Sequence, residues 1–260
     1  MSGLLTQAAR TLSLSRFTLM TLTTPMAAPI LDTPGDTRVD APLTDELADA
    51  AFGLVDAGAQ MAEQGLNPVT LTIGTFDDDA PFESWTHYPP GDARDSRSGV
   101  QIYYHGHRAG HEHGHFHIFL KAGDTASDVK SISAADEDAT TLEADDLFHV
   151  IAITMDATGL PIELFTTNRW VTDEAMVTAK SILPLLDRLT CTDAFDAPLA
   201  NQWFSHLFGL FRDDIAQLLV ARDDALETIN FALDDEAHEV LSSKPISILD
   251  RMEELGLFED

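Results

Sequence analysis

Cysteine is nearly absent. Cys191 is the only one in 260 residues, which excludes an intramolecular disulfide framework and any zinc site built from several thiolates. Lysine is almost as scarce, with 4 against 11 arginines. No apolar run reaches the ~20 residues that a helix needs to cross a bilayer. The chain also lacks a G-x-S-x-G turn, a P-loop and a dinucleotide-type glycine pattern. Acid is what it has in excess: 44 Asp and Glu against 15 Lys and Arg, a formal charge of −29. Such a surface repels phosphate backbones and anionic lipid, so neither nucleic acid nor membrane is expected as a partner. The 44% hydrophobic content is enough for a real core and excludes disorder for most of the chain.

The acids are mainly aspartate, 30 against 14 glutamates. Short hydrated carboxylates with few lysine stems fit a surface kept soluble in concentrated salt, and we read most of the charge as halophilic adaptation. A field that steers a cationic ligand is the other reading. A cytoplasmic location is expected.

Residues 1–31 contain no Asp or Glu. Arg10 and Arg16 before Phe17–Leu22, with Met26-Ala27-Ala28 after, outline a weak export signal, and a true start at Met20 or Met26 accounts for the same pattern. Residues 1–43 are therefore expected to be a disordered or mis-started segment. Residues 44–260 are expected to form a single α+β domain.

Within that domain Thr44–Gln64 reads as a helix capped by Thr44 and stopped by Gly65 and Pro68. Val69–Phe76 alternates as a short strand ended by Asp77-Asp78-Asp79. Val100–His107 and His115–Lys121 are candidate strands, followed by an acidic insertion at 122–146 expected to be a mobile loop. Leu147–Thr154 and Leu160–Thr166 flank Asp156-Ala157-Thr158-Gly159, a hairpin signal. After Asp173 the periodicity is helical, with a stripe of Phe204, Leu207, Phe208, Phe211, Ile215, Leu218 and Leu219 and further helices at 226–242 and 247–255. The fold expected is a central antiparallel β-sheet or small barrel-like roll, with an N-terminal helix and a C-terminal helical layer.

Chemistry concentrates in one place. Six of the ten histidines lie between 105 and 117, and Glu112 is the only carboxylate from Ser96 to Gly123. Residues i and i+2 of a strand share a face, so His105 and His107 point together, as do His113, His115 and His117. Pairing 105 with 117 and 107 with 115 would make a grid of imidazoles. The expected metal ligands are His105, His107, His113, His115 and His117, with Glu112 as a further ligand or as the catalytic base. Nitrogen and oxygen donors without thiolate suit a divalent Zn, Fe, Mn or Ni ion. A structural or pH-responsive polar network is the alternative for the same histidines. His87 and Arg169 are candidate ligand-binding residues for a small molecule, although Arg169 has many surface carboxylates with which to pair. His149, His206 and His238 read as structural.

Gly99, His105, His107 and Glu112 together resemble the first cupin motif, but its closing glycine falls at Phe119 and no second motif follows. A broader likeness rests on His87-Tyr88-Pro89-Pro90-Gly91-Asp92, on Tyr104–Phe119 with Glu112-His113-Gly114-His115-Phe116-His117, and on Thr166-Thr167-Asn168-Arg169-Trp170. Over roughly 45–255 the chain resembles an uncharacterised bacterial family of unknown function. That resemblance implies no activity. The function expected is divalent metal binding by a histidine-rich hairpin, either in a metal-dependent enzyme of open reaction class or in a non-enzymatic binding or sensor protein.

Overall fold

The computed structural model describes residues 44–74, 82–108, 110–132 and 140–258. The expectations for residues 1–43 and for the Asp77–Asp79 turn lie outside the described residues.

The first helix, α1 (Asp45–Glu63), starts where Thr44 Oγ1 accepts the amide of Leu47, with Asp45 and Glu46 in its positive first turn. It ends in a Schellman closure: Gly65, at φ 71°, donates to the Ala62 carbonyl, and Leu66 donates to that of Met61. Ala50, Ala51, Leu54, Ala57 and Met61 form its buried stripe.

The segment after it departs from expectation, because 68–73 is helical rather than extended. Asn67 Oδ1 accepts the Thr70 amide at 2.8 Å, Thr70 Oγ1 accepts the Asn67 amide at 2.8 Å, and Pro68 occupies the first turn of α2 (Pro68–Ile73). This reciprocal cap outweighs the β-branched alternation of Val69, Thr70, Thr72 and Ile73.

The sheet is an antiparallel meander in the order β1-β2-β3-β4-β5-β6. Its strands are β1 (Tyr88–Arg94), β2 (Val100–His105), β3 (Gly114–Lys121), β4 (Leu147–Met155), β5 (Pro161–Thr167) and β6 (Val240–Pro245). It does not close into a barrel, so the roll alternative and the cupin likeness do not describe this fold. The helix expected over 226–242 is helical only to Thr228, and the sixth strand begins at Val240. The chain reverses at Asn230 and Phe231, both with positive φ, and β6 then pairs with the free edge of β5. That edge would otherwise expose unpaired backbone groups.

Two faces of the sheet have different roles. Tyr104, Phe116, Ile118, Ile151, Ile153 and Leu164 point into the hydrophobic core. The short helices α3 (Arg169–Thr172) and α4 (Ala179–Ile182) follow β5, and α5 (Pro198–Leu210) and α6 (Arg212–Thr228) then supply the helical layer. The aromatic stripe is thus divided between two helices that break at Phe211, and Phe116 meets Phe204 edge-on at 4.9 Å. α1 packs on α5 at Gly53, where an added Cβ would lie 2.4 Å from the His206 ring. His206 therefore has a packing role. The last helix, α7 (Ile248–Glu254), is capped by Ser247, as its sequence indicates.

Part of the acidic insertion at 122–146 has local structure. Gly123–Asp128 forms a 3-10 turn, Val129 and Leu142 are buried, and Lys130 bridges to Thr141. Only 133–139 within it lies outside the described residues.

Candidate metal centre

The face opposite the core gathers the imidazoles. The β2–β3 register pairs His105 with His115 and Tyr103 with His117, two residues away from the pairing expected. A shift of two preserves which face each side chain occupies, so the cluster survives it. The slip has a local cause. β3 starts early, because the His113 amide bonds to the Met155 carbonyl at 2.9 Å, and the chain leaves β2 after His105. Gly114 permits the close approach: a Cβ there would lie 2.5 Å from Tyr104 Oη and 2.6 Å from the His105 carbonyl. His107 consequently sits in the connection, yet its ring centroid is 5.0 Å from those of both His105 and His115.

His105, His107 and His115 each offer a ring nitrogen, and the three atoms lie within 4.8 Å of one another. His105 Nε2 is 2.8 Å from His115 Nε2. Tetrahedral ligation at ~2.1 Å would set such nitrogens ~3.4 Å apart, so a metal ion would be accommodated by opening this pair by about 0.6 Å and drawing His107 in.

The neighbours of the three rings fix their state. His115 Nδ1 is 2.7 Å from Glu112 Oε1, a carboxylate that accepts its hydrogen bond and leaves Nε2 as the nitrogen turned toward His105. Burial disfavours ionised Glu112, but the His115 bond and the Arg108 guanidinium outweigh it and hold the carboxyl below its ordinary range. Arg108 also lies 4.7 Å over the Phe165 ring and 3.8 Å from Glu163. Burial, then the neighbouring His115, His107 and His87, drives His105 down to about 2. His107 is lowered by burial and by His115. At neutral pH these two imidazoles are therefore uncharged, as ligation requires.

Beneath the three lies a second buried pair. His117 Nδ1 is 3.0 Å from His149 Nε2, and His149 Nδ1 is 3.5 Å from Thr167 Oγ1. Burial holds both rings neutral, His117 well below its ordinary value and His149 at about 3, the latter helped by Arg222 and His115. His117 Nε2 is buried without a hydrogen-bond partner, as are Glu112 Oε2 and Arg108 Nη1. The last two face each other as an ion pair at 3.7 Å, whereas an unpartnered ring nitrogen such as His117 Nε2 costs about 1–3 kcal/mol and marks a polar site rather than packing.

Two of the clustered histidines go elsewhere. His113, expected as a ligand, turns to the core side, where its Nδ1 bonds to Tyr104 Oη at 2.6 Å and its ring meets Phe82. The i, i+2 spacing put it beside His115, but β3 begins at Gly114, so strand alternation does not extend to His113. His111 is exposed and reaches Glu163 Oε2 at 3.3 Å. Arg169 is held by Asp173 and Asp234, the carboxylate pairing foreseen as the alternative to anion binding. His238 likewise bonds to Asp235.

A small cavity adjoins the three-imidazole cluster, with His105 and His107 in its wall beside Trp85, His87, Tyr103, Trp170 and Glu239. His87 stacks on Tyr103 at 3.7 Å. Trp85 stacks on His107 at 4.1 Å from a backbone φ of 69°, a left-handed conformation that costs a bulky residue about 1–2 kcal/mol. Trp85, Arg108, Glu163, Trp170 and Glu239 were not expected as site residues, and His149 was read as a satisfied core histidine, with a place in the same cleft as the lesser reading. Glu163 carried one usable signal: a carboxylate in a predicted strand, on the side opposite Leu164.

No curated protein and no solved structure matches the chain. Residues 48–246, which contain every site residue named above, match a domain family of unknown function, DUF6969, and the chain belongs to that family.

Proposed function

We propose that this protein binds one divalent transition metal ion through His105, His107 and His115 and uses it as a metal-dependent enzyme. The observation that carries the reading is the convergence of three imidazoles within 4.8 Å, one of them oriented by a buried carboxylate. Zn, Fe, Mn and Ni all suit this donor set. Three protein ligands leave coordination positions free, and the adjoining cavity supplies access to them. A metal so held would supply Lewis-acid chemistry, polarising a substrate oxygen or making a water more acidic. Glu112 would orient His115, Arg108 would hold Glu112, and the His117–His149 pair would back the site.

The 2.8 Å contact between His105 and His115 favours one competing reading, a metal-free hydrogen-bonded network in a binding or sensor protein. Elemental analysis of untagged protein after reconstitution separates the two. About one ion per chain, lost in His105→Ala and His115→Ala, is expected. Less than about 0.2 ion per chain, with no difference between variants and parent, would leave the polar network as the explanation.

A further inference from the structure

The metal reading explains the imidazoles but not the walls beside them. The cavity is small, about 180 Å³, below the 300–1,000 Å³ of most ligand sites. Its walls are aromatic and individually held. The Trp85 amide bonds to the Gly106 carbonyl at 3.3 Å, which keeps the indole over His107 although the residue is 69% exposed. Trp170 Nε1 donates to the His238 carbonyl at 3.2 Å. Next to it the Asn168 amide bonds to the Glu239 carbonyl at 2.9 Å, so the same two strand ends carry the indole and the carboxylate.

The charge in the lining has one sign. Among the described residues Glu239 is the only carboxylate there, and no lysine or arginine joins it. Arg169, adjacent in sequence to Trp170, is engaged by Asp173 and Asp234 instead. Among the described residues no basic side chain forms an ion pair with Glu239. No basic side chain of the lining would pair with an anionic ligand, and a net charge of −29 opposes its approach. Aromatic faces with a carboxylate are what an organic cation requires, because the negative face of each ring attracts the cation while the apolar wall replaces its water.

We propose that the cavity binds a small organic ammonium compound, its cationic end against Trp85, Trp170 and Glu239 and its other end toward His105 and His107. The inference rests on the metal reading only for what lies at that second end.

Choline is the probe, with 3,3-dimethylbutan-1-ol as its uncharged counterpart of equal shape. Binding to the full-length chain is followed by tryptophan fluorescence and calorimetry, on metal-free and metal-loaded protein. Choline is expected to bind about tenfold tighter than the alcohol. Glu239→Gln and Trp85→Leu should each reduce choline binding several-fold while melting temperature and metal content stay unchanged. Equal binding of alcohol and choline, or no choline binding at all, would overturn the proposal. So would loss of metal in Glu239→Gln, which would make Glu239 a ligand. Metal bound by protein that never binds choline refutes this inference alone, and choline bound by protein that takes up no metal on reconstitution refutes the metal reading alone.

Discussion

Glu112 and His115 are joined by a 2.7 Å hydrogen bond, and each side chain is only 1% exposed. A carboxylate on Nδ1 commits the ring to one tautomer and raises the basicity of Nε2. Glu112→Ala should therefore weaken metal affinity about 10- to 100-fold, measured by competition with a chromogenic chelator. Glu112→Gln keeps a hydrogen-bond acceptor and should lose less. Identical affinities in Ala, Gln and parent proteins would remove the orienting role.

Acid should unfold the metal-free protein unusually early. His105 and His149 have folded values near 2 and 3, against ~6.5 when unfolded. The unfolded chain therefore takes up protons first. Their stabilising contribution is complete above about pH 6.5 and falls as pH drops below it. Two such groups give roughly 3 kcal/mol per pH unit. Against a typical stability of about 5–15 kcal/mol, this brings unfolding toward the weakly acidic range. A urea series from pH 7.5 to 4.5 measures the slope, which should flatten in His149→Gln. A stability independent of pH between 6.5 and 5 would refute it.

Gly114 offers a purely steric test. Its added Cβ would meet backbone at the His105 carbonyl as well as the Tyr104 ring, and neither has room to withdraw. Gly114→Ala should cost about 1–3 kcal/mol by overpacking and should separate His105 from His115. A drop in melting temperature together with weaker metal binding is expected. Gly58, with nothing within 4 Å of an added Cβ, is the control at which alanine should be tolerated.

Strands β3 and β4 and the hairpin at Asp156–Gly159 were legible because short apolar runs bounded by turn residues are local signals. The shared face of His105 and His115 was legible from strand alternation. What stayed hidden depends on partners distant in sequence. α2 was concealed because a cap at Asn67 overrode β-branched alternation, and β6 because its strand character comes from the edge of β5. His149 joins the site through a bulge between Ile118 and Phe119, and no spacing within β4 announces that. Glu239 and Trp170 meet the cavity only through pairing between β5 and β6.

Salt should stabilise the protein. The ion pairs of Arg212 with Asp187 and Lys121 with Asp145 are exposed, so screening them loses little. Self-repulsion of a −29 chain is screened as the Debye length falls from about 30 Å at 0.01 M to about 3 Å at 1 M. The melting temperature should rise by several degrees over that range, at about 2–4 °C per kcal/mol. A flat or falling curve would assign the acidity to a cationic partner instead of to solvent.

The meander order has a consequence in time. Every strand through β5 pairs with the one made just before it, whereas Val240 must wait for about 70 residues after Thr167. At ~5–20 residues per second, the ribosome completes the β2–β3 hairpin roughly 6–24 s before it delivers Glu239. The newborn imidazoles thus face solvent without the wall that later flanks them, and we predict that ion capture is fastest during synthesis. Protein made in a cell-free system with metal present throughout should load faster than protein given metal only after release. Equal loading rates would mean that the finished wall is no barrier to the ion.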